Sequence, residues 1–455
     1  MWQRSLLLTV LLFSSSALFA SGQCRDWLIA LDNAVSEAGI HDAGAQRVEG
    51  YPHLRTTRWL AFLQQEVESE EQQRLWLTLA SEQAMQGWRS ELSRLPPSHP
   101  LLRDSANWQT ALQQCVNELL SITGFFGVPK TPIADNYSRR NRLLGLYAIT
   151  NIFARPSMNG YREDMAQRFR RPTRLPIRHY LVEDFAGSPP APAELVPNAL
   201  EMPIPSAGAQ RALLNAYAPV LSVANTLAYN QPGSIQINDG TPTVDYHAPS
   251  AYTWLSWTRY KGHNLLQLNY QYWFSERPKE GSFDLYGGPL DSIIWRVTLK
   301  PDGNVLFYDS IHGCGCYHKV YPVARGLTAR DDGPTAPVFY PGATPNARTE
   351  RISLVIEPDT HYIVRVEKFI RGQQIERYTL QDANRLRAIP DNQQNIVSLY
   401  DSAGLIPISQ RAERRILWPL GVPSAGTMRQ PGTHAIAFIG KRHFDDAQLM
   451  DIIFQ

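Results

Sequence analysis

The amino-acid sequence predicts an α+β protein in which an N-terminal helical domain precedes a mainly antiparallel β domain, either sandwich-like or an open barrel. Residues 24 to about 170 carry apolar side chains at helical spacing and contain few prolines. From about residue 227 the spacing changes to alternation, which is typical of strands with one buried face. A proline-rich segment separates the two patterns, and we place the domain boundary there.

The first residues, MWQRSLLLTVLLFSSSALFASGQC, have the pattern of a secretory signal peptide. A single arginine precedes a short apolar run over residues 6–13, and small residues follow. We predict that residues 1–22 are a signal peptide cleaved after Gly22, which places the mature chain in the periplasm or outside the cell. One alternative is an uncleaved anchor, although the run is shorter than the about 18 apolar residues that span a bilayer. The other is a lipoprotein attached at Cys24, although a glutamine stands where a small residue is expected.

Residues 23–170 are predicted to form the helical domain. Its apolar residues recur at helical spacing in CRDWLIALDNAVSEAG, RTTRWLAFLQQEVESEEQQRLWLTLASEQAMQGWRSEL and NWQTALQQCVNELLSITGFFG. We expect their tryptophan and leucine stripes to form the core of a scaffold rather than a cofactor site. Export favours disulfides among the four cysteines of the chain, and the simplest pairing joins Cys24 to Cys115 and Cys314 to Cys316.

Residues 171–226 are predicted to be a proline-rich linker with a short helix, and residues 227–455 to be the β domain. The clearest strand is HNLLQLNYQYWF, in which apolar and polar side chains alternate. The run IIWRVTL-KPDGN-VLFYDSIH predicts a hairpin that turns at Asp302 and Gly303. Further strands are predicted at ISLVIEP, HYIVRVEKFI and HAIAFIGKRHF. After the signal peptide, no stretch is long and apolar enough to predict a transmembrane helix.

Two histidines and two cysteines lie close together in HGCGCYHK, residues 312–319. We call His312, Cys314, Cys316 and His318 the His/Cys cluster. The four positions have the same parity, so an extended chain would place the outer two about 20 Å apart. One metal ion can reach several of them only if the chain wraps, and the two intervening glycines permit the positive φ values that wrapping needs.

Three interpretations of the His/Cys cluster stay open at the level of sequence. In the first, the four side chains bind zinc or copper in a metal-assisted hydrolase, with His263 and Asp309 as catalytic residues. The spacing, however, matches neither the common zinc fingers nor the haem-attachment motif. In the second, Cys314 and Cys316 form a strained disulfide of a thiol–disulfide redox protein. In the third, the cluster is a structural turn in a non-catalytic envelope or binding protein.

Two polar groups are further candidates for this site. His263 begins the strand whose polar face carries Gln267, Asn269 and Gln271, and such a face is usually the wet side of a sheet. Near the C-terminus, GKRHFDD forms a second polar group that includes His443, and we expect an exposed turn there unless it folds back on the cluster.

The charge balance and the missing motifs exclude several classes of function. Acidic residues number 42 and basic residues 44, so the basic excess typical of nucleic-acid-binding proteins is absent. The zincin HExxH pair, the GxSxG elbow, the Walker loop and the GxGxxG loop are also missing from the sequence. The expected partner is therefore a substrate of unknown class or a component of the cell envelope.

Overall fold

The fold was obtained as a computed structural model, which describes residues 21–103, 107–171, 177–184, 195–224, 227–330, 336–370 and 374–455. The α+β class predicted from the sequence is confirmed, because helices dominate the N-terminal part and a large sheet dominates the rest. The apolar run of the predicted signal peptide lies outside the described residues, whereas Gly22 belongs to the first helix.

Most of the long helices lie in the N-terminal part of the chain. Within the described ranges the helices are α1 (Ser21–Glu37), α2 (Arg58–Leu63), α3 (Glu70–Leu92), α4 (Pro100–Arg103), α5 (Trp108–Ile122), α6 (Arg139–Leu144), α7 (Tyr147–Arg168), α8 (Ala207–Ala216), α9 (Arg414–Leu417) and α10 (Leu449–Ile453). No helix among the described residues has the length and apolar character needed to cross a membrane.

The N-terminal helical part of the chain is held together by an apolar core, a disulfide and a buried ion pair. The predicted Cys24–Cys115 disulfide is confirmed, and it joins α1 to α5 at the centre of the core that α3 completes. Glu91 of α3 accepts two hydrogen bonds from Arg55, at 3.0 and 2.6 Å. Because both charged groups are buried, removing Glu91 would leave the Arg55 guanidinium without a counter-ion. The ion pair therefore fixes α3 against the strand that carries Arg55.

The strands of the described residues are distributed along the chain, although most of them belong to its C-terminal part. They are β1 (Gln46–Val48), β2 (Tyr51–Thr56), β3 (Ile177–Val182), β4 (Val220–Ala224), β5 (Ser234–Asn238), β6 (Thr241–Asp245), β7 (Ser250–Tyr260), β8 (His263–Arg277), β9 (Gly288–Leu299), β10 (Val305–His312), β11 (Lys319–Pro322), β12 (Val338–Phe339), β13 (Ile352–Ile356), β14 (Ile363–Lys368), β15 (Ile375–Asp382), β16 (Ile389–Pro390) and β17 (Ile396–Val397). The predicted Asp302–Gly303 turn joins β9 to β10, with Gly303 at φ +74°.

Eleven strands form one sheet in the order β12-β11-β10-β9-β8-β7-β15-β3-β4-β13-β14. The run from β7 to β11 is antiparallel, whereas β15 pairs in parallel with both β7 and β3. The sheet is therefore mixed and curves as a half-barrel. The more specific arrangement as a sandwich or an open barrel stays a prediction. The predicted linker also contributes β3 and β4 to this sheet. These strands are only six and five residues long, and the surrounding prolines favoured the prediction of a linker.

The two faces of β8, β9 and β10 pack against different parts of the chain. On one face, which we call the core face, Tyr270, Tyr272 and Trp295 pack against the main apolar core. On the other, which we call the C-terminal face, Ile294 packs against Phe444.

The amide side chains predicted to lie on a wet face are instead buried, because the C-terminal segment covers them. They hydrogen-bond across the strands: Gln267 donates to Thr298 at 3.1 Å, Asn269 to Ser256 at 2.9 Å and Gln271 to Ser292 at 3.1 Å.

Candidate functional site

The His/Cys cluster forms the tight connection between β10 and β11. The backbone N–H of His312 donates to the carbonyl of Cys316 at 3.0 Å, and the N–H of Gly315 donates to the carbonyl of His312 at 2.8 Å. The chain therefore wraps instead of continuing as an extended strand. This wrapping brings the two cysteines together at one end of the sheet.

Both glycines of the connection are required by their surroundings. A Cβ atom on Gly313 would lie 1.9 Å from Oγ of Ser292. A Cβ atom on Gly315 would lie 2.5 Å from the carbonyl oxygen of Ala435, and the φ of +91° at Gly315 is itself unfavourable for other residues. Tyr317 also has a positive φ, of +64°. The local sequence thus accounts for the wrapped backbone.

Cys314 and Cys316 are free thiols that lie side by side. The backbone N–H of Cys316 points at Sγ of Cys314 from 3.4 Å. Cys314 is buried, whereas Cys316 is half-buried and lines a cavity. A hydrogen bond with the Cys314 thiol, together with burial, raises the pKa of Cys316 well above its usual range. Cys316 is therefore held as a protonated thiol.

A buried arginine lies beneath the two thiols. Arg429 Nε donates to the carbonyl of Cys314 at 3.2 Å, and its Nη2 donates to the carbonyls of Pro423 and Ser424. Burial lowers the pKa of Arg429, while the neighbouring thiols act in the opposite direction. Among the described residues no salt bridge joins this guanidinium to a carboxylate, and the two thiols are the neighbours that most favour its charged form.

His312 belongs to a buried network on the core face. Asp291 Oδ1 lies 3.5 Å from Nδ1 of His312, and Asp291 Oδ2 lies 2.7 Å from Nδ1 of His361. Nε2 of His361 faces the carbonyl of Tyr229 at 3.1 Å and must donate a proton to it. Burial opposes the charge on Asp291, but the two histidines overcome it and hold its pKa well below the usual range. The network therefore fixes two histidines by means of one carboxylate.

His318 belongs to a different network on the C-terminal face. Its Nε2 donates to Oδ2 of Asp309 at 3.0 Å, and Arg296 binds both oxygens of that carboxylate, at 2.8 and 2.5 Å. Burial opposes the ionisation of Asp309, yet Arg296 and His318 lower its pKa. Asp309 was predicted to be a catalytic base, but its lone pairs are occupied by an arginine and a histidine inside the sheet. Asp309 therefore has the surroundings of a buried structural ion pair.

The structure does not bring the predicted metal ligands to one point. His312 and His318 lie on opposite faces of the sheet, and each is held by its own carboxylate. In the described part of the chain, no three side chains of the His, Cys, Asp and Glu types are grouped so that they could hold one ion. The physical reason is the pleat of the strands. His312 lies on β10 at a position whose side chain points to the core face, whereas His318 follows the turn and lies beside Asp309 on the C-terminal face.

His263 is also far from the His/Cys cluster. Tyr272 pairs with Ile293, which pairs with His312, so the cluster lies beside Tyr272. His263 is at the other end of the same strand, about 30 Å away at about 3.3 Å per residue. Its predicted role beside the cluster is therefore not supported. By contrast, the C-terminal segment does fold back on the cluster, because Nε2 of His434 donates to the carbonyl of Gly313 at 3.1 Å.

A cavity of about 520 Å³ opens beside Cys316. Its walls come from α7, the loop after β8, the cluster itself and residues 413–442; the side chains used below are Cys316, Glu413, Arg277, Tyr161, Tyr286 and Tyr317. Arg277 stacks on the rings of Tyr286 and Tyr362, at 5.6 and 5.5 Å from their centroids. The guanidinium is thereby held at the cavity wall.

Glu413 is the acidic group of this cavity that differs most from an ordinary carboxylate. It is only 6% exposed, and none of its hydrogen bonds within the described chain involves the carboxyl group. Burial raises its pKa to about 7, although Arg277 and Arg411 oppose that shift. Its charge, when present, raises the pKa of Cys316. The cavity wall thus carries both a thiol and a carboxyl group whose pKa lies near neutral pH.

Several residues of this site were missed by the sequence analysis. Glu413 and Arg429 lie in turn-rich segments without periodicity, far from residues 312–319 in sequence. His361 begins the predicted strand HYIVRVEKFI, and nothing in that pattern links it to His312. Arg277 ends a strand whose regular alternation gave no reason to single it out. One compositional signal was available for the C-terminal segment, since residues 414–444 contain no acidic residue.

Comparison with known proteins gives no relatives from which a function could be transferred: no family model, no curated protein and no solved structure matches the chain. Function has to be argued from the site itself.

Proposed function

We propose that this chain is an exported protein that carries out thiol–disulfide exchange at Cys314-Gly315-Cys316. The observation that carries the proposal is a pair of adjacent free thiols, one of which lines a cavity whose wall also carries a titratable carboxyl group. The substrate class is a disulfide that can enter the cavity and reach Cys316. The Cys24–Cys115 bridge is compatible with an oxidising compartment, where such disulfides occur.

Cys316 is the attacking sulfur in this mechanism because it is the one that lines the cavity. Its raised pKa means that the thiol must lose its proton as it attacks, and Glu413 is the nearby group that accepts it. The Cys316 sulfur then forms a bond to one sulfur of the substrate disulfide. The substrate S–S bond breaks, one substrate thiolate leaves, and a mixed disulfide with Cys316 remains.

Cys314 completes the exchange. Its sulfur attacks Sγ of Cys316, the mixed disulfide breaks, and the second substrate thiolate leaves with the electron pair. In total, two electrons pass from the two protein thiols to the substrate disulfide, and a Cys314–Cys316 disulfide forms. Arg429, whose Nε donates to the carbonyl of Cys314, supplies positive charge next to the residue that performs this step.

The Cys314–Cys316 disulfide closes a very small ring, so it is strained and easily reduced. The last step is therefore readily reversed, which favours exchange and rearrangement of substrate disulfides over their one-way reduction. Gly315 contributes to this property, because its φ of +91° holds the turn that keeps both sulfurs on one side.

The test is to trap the mixed disulfide. Cys314→Ser and Cys316→Ser variants are incubated with a fluorescent disulfide-containing peptide, and adducts are identified by non-reducing electrophoresis and mass spectrometry. The expected result is a stable adduct on Cys316 in Cys314→Ser and no adduct in Cys316→Ser. Equal labelling of both variants, or of neither, would contradict the proposal.

The metal-assisted hydrolase remains the alternative enzyme, and a non-catalytic envelope protein the alternative without chemistry. Metal analysis of the protein purified without a metal-affinity tag separates the first alternative. About one equivalent of zinc or copper that protects Cys314 and Cys316 from thiol reagents would favour a metal site over exchange. Absence of both trapped adduct and metal would favour the binding protein.

A further inference from the structure

Helices α6 and α7 carry a large apolar surface that faces solvent. Leu143 at the end of α6 and Phe153 on α7 are each 77% exposed. On α7 the exposed residues Ile149, Ile152 and Phe153 recur at helical spacing and form one stripe. Isolated exposed apolar residues are normal, but a continuous stripe of this kind marks an interaction surface.

The stripe continues onto α9 and the turn that follows it. The turn at residues 418–420 packs against both α6 and α7, so Ile416 and Trp418 lie beside the stripe. Ile416 is 58% exposed. We call the whole surface the apolar patch, and its members are Leu143, Leu144, Leu146, Ile149, Ile152, Phe153, Ile416 and Trp418.

Arginines that are exposed or half-buried accompany the apolar patch on the same segments. They are Arg139, Arg140, Arg155, Arg414 and Arg415. Between Asp135 and Glu163 the chain has no acidic residue, and residues 414–444 also have none. Guanidinium groups bind phosphate in a bidentate manner, and each basic residue near an anionic bilayer contributes to binding. The charge of the surface is thus complementary to a phosphate-rich partner that also accepts apolar side chains.

We propose that the apolar patch docks this protein onto the surface of a membrane that contains anionic phospholipids. An amphipathic surface of this type lies in the interface, with apolar side chains among the acyl chains and arginines on the phosphates. A symmetric dimer through the same surface would bring arginines close to arginines, with no carboxylates of this segment to balance them. The opposite side of α7, at Ala154, Met158 and Tyr161, lines the thiol cavity. Docking would therefore hold the cavity close to the lipid, whether or not the thiols carry out exchange.

Vesicle co-sedimentation tests the proposal directly. The wild type and an Ile152→Ser/Phe153→Ser double variant are mixed with vesicles of phosphatidylcholine alone or with an equal amount of phosphatidylglycerol. All proteins must share one N-terminus, verified by mass spectrometry, so that the apolar residues 6–13 contribute equally if they are present. Phe283→Ser is the matched control, because Phe283 is 96% exposed but lies outside the apolar patch.

The expected result is binding of the wild type and of Phe283→Ser to the anionic vesicles, with binding weakened by salt. The double variant should bind at least about tenfold more weakly, while its circular dichroism spectrum is unchanged. Equal binding of the double variant and Phe283→Ser would overturn the proposal, and so would a wild type that ignores both kinds of vesicle. A wild-type dimer that the double variant abolishes would assign the apolar patch to self-association instead.

Discussion

Individual side chains around Cys316 decide what its thiol can do. Glu413 is a buried carboxyl group whose pKa lies near 7, and Arg429 is a buried cation next to Cys314. Neither group is placed where burial would favour its charge, and charged groups in such places are commonly functional. In the proposed exchange the two groups have separate tasks: Glu413 accepts the proton of Cys316, and Arg429 supplies positive charge next to Cys314.

The pH dependence of exchange tests the role of Glu413. As the pH rises through about 7, Glu413 loses its proton and becomes able to accept one from Cys316. The exchange rate of the wild type should therefore rise across this range. Glu413→Gln should lose that rise, whereas Glu280→Gln, which alters an exposed carboxylate of the same cavity, should keep it. The measurement is the initial rate against pH with a fluorescent disulfide peptide, and identical profiles for all three proteins would exclude Glu413 as the base.

Glu413 should also affect stability, with a sign that follows from its raised pKa. Its pKa is about 7 in the folded chain and 4.5 for an unperturbed glutamate, so the folded chain binds this proton more tightly than the unfolded one. The contribution is fully retained below about pH 4.5 and is lost as pH rises through 7, by on the order of 3 kcal/mol at most. Urea unfolding at about pH 5 and about pH 8 should show a smaller loss for Glu413→Gln than for the wild type. An equal loss would contradict the burial argument.

Gly315 can be tested by comparison with a glycine that has a similar backbone but open space. Gly315→Ala combines a φ of +91° with a Cβ 2.5 Å from a carbonyl oxygen, while Gly262→Ala has a φ of +82° and no atom within 4 Å. Strain at positive φ costs about 1–3 kcal/mol in both variants, and only Gly315→Ala adds the clash. We expect a larger drop in unfolding free energy for Gly315→Ala in urea titrations. Equal values would show that the loop relaxes around the new methyl group.

At the scale of elements, the hairpin of β10 and β11 separates the histidines of the cluster from its cysteines. The two histidines are fixed by carboxylates on opposite faces, whereas the two cysteines meet at the turn between the strands. The pleat of the strands and the tight turn together explain this division. The hairpin therefore serves as a rigid support for the thiols.

Asp309→Asn tests whether the Asp309 network is structural. The change leaves the buried Arg296 without its counter-ion, so we expect a loss of about 3–5 kcal/mol in unfolding free energy. Glu70→Gln breaks an exposed ion pair with Arg74 and should change stability by less than about 1 kcal/mol. Thermal and urea unfolding of both variants provide the comparison. A stable Asp309→Asn protein that has lost activity would instead restore Asp309 as a catalytic residue.

At the scale of the whole molecule, local patterns predicted elements better than they predicted assembly. The helices around Cys24 and Cys115 follow from the helical spacing of apolar residues, and their disulfide follows from the even number of cysteines. The hairpin at Asp302 follows from the Asp-Gly turn. The eleven-stranded sheet did not follow, because β15 joins β7 and β3 through parallel pairings between distant segments. Parallel pairing has no local turn to signal it.

The candidate site was predictable only where chemistry was concentrated in sequence. The HGCGCYHK segment drew attention to Cys314 and Cys316, and the glycines indicated a wrapped turn. Glu413 and Arg429 could not be found, because they reach the site through long-range contacts without a periodic pattern. The polar face of its strand suggested His263, but a shared face gives no distance along the strand. Asp309 was assigned a catalytic role because its buried partners Arg296 and His318 cannot be recognised from the sequence.

The most direct test of the central claim is the redox equilibrium of the two thiols. The protein is equilibrated with reduced and oxidised glutathione at a series of ratios, and the states of Cys314 and Cys316 are counted by alkylation and mass spectrometry. We predict that the pair is reversibly oxidised with a potential above about −200 mV, while Cys24–Cys115 stays intact. Thiols that never form a mutual disulfide, or a disulfide as resistant to reduction as a structural one below about −300 mV, would contradict the account.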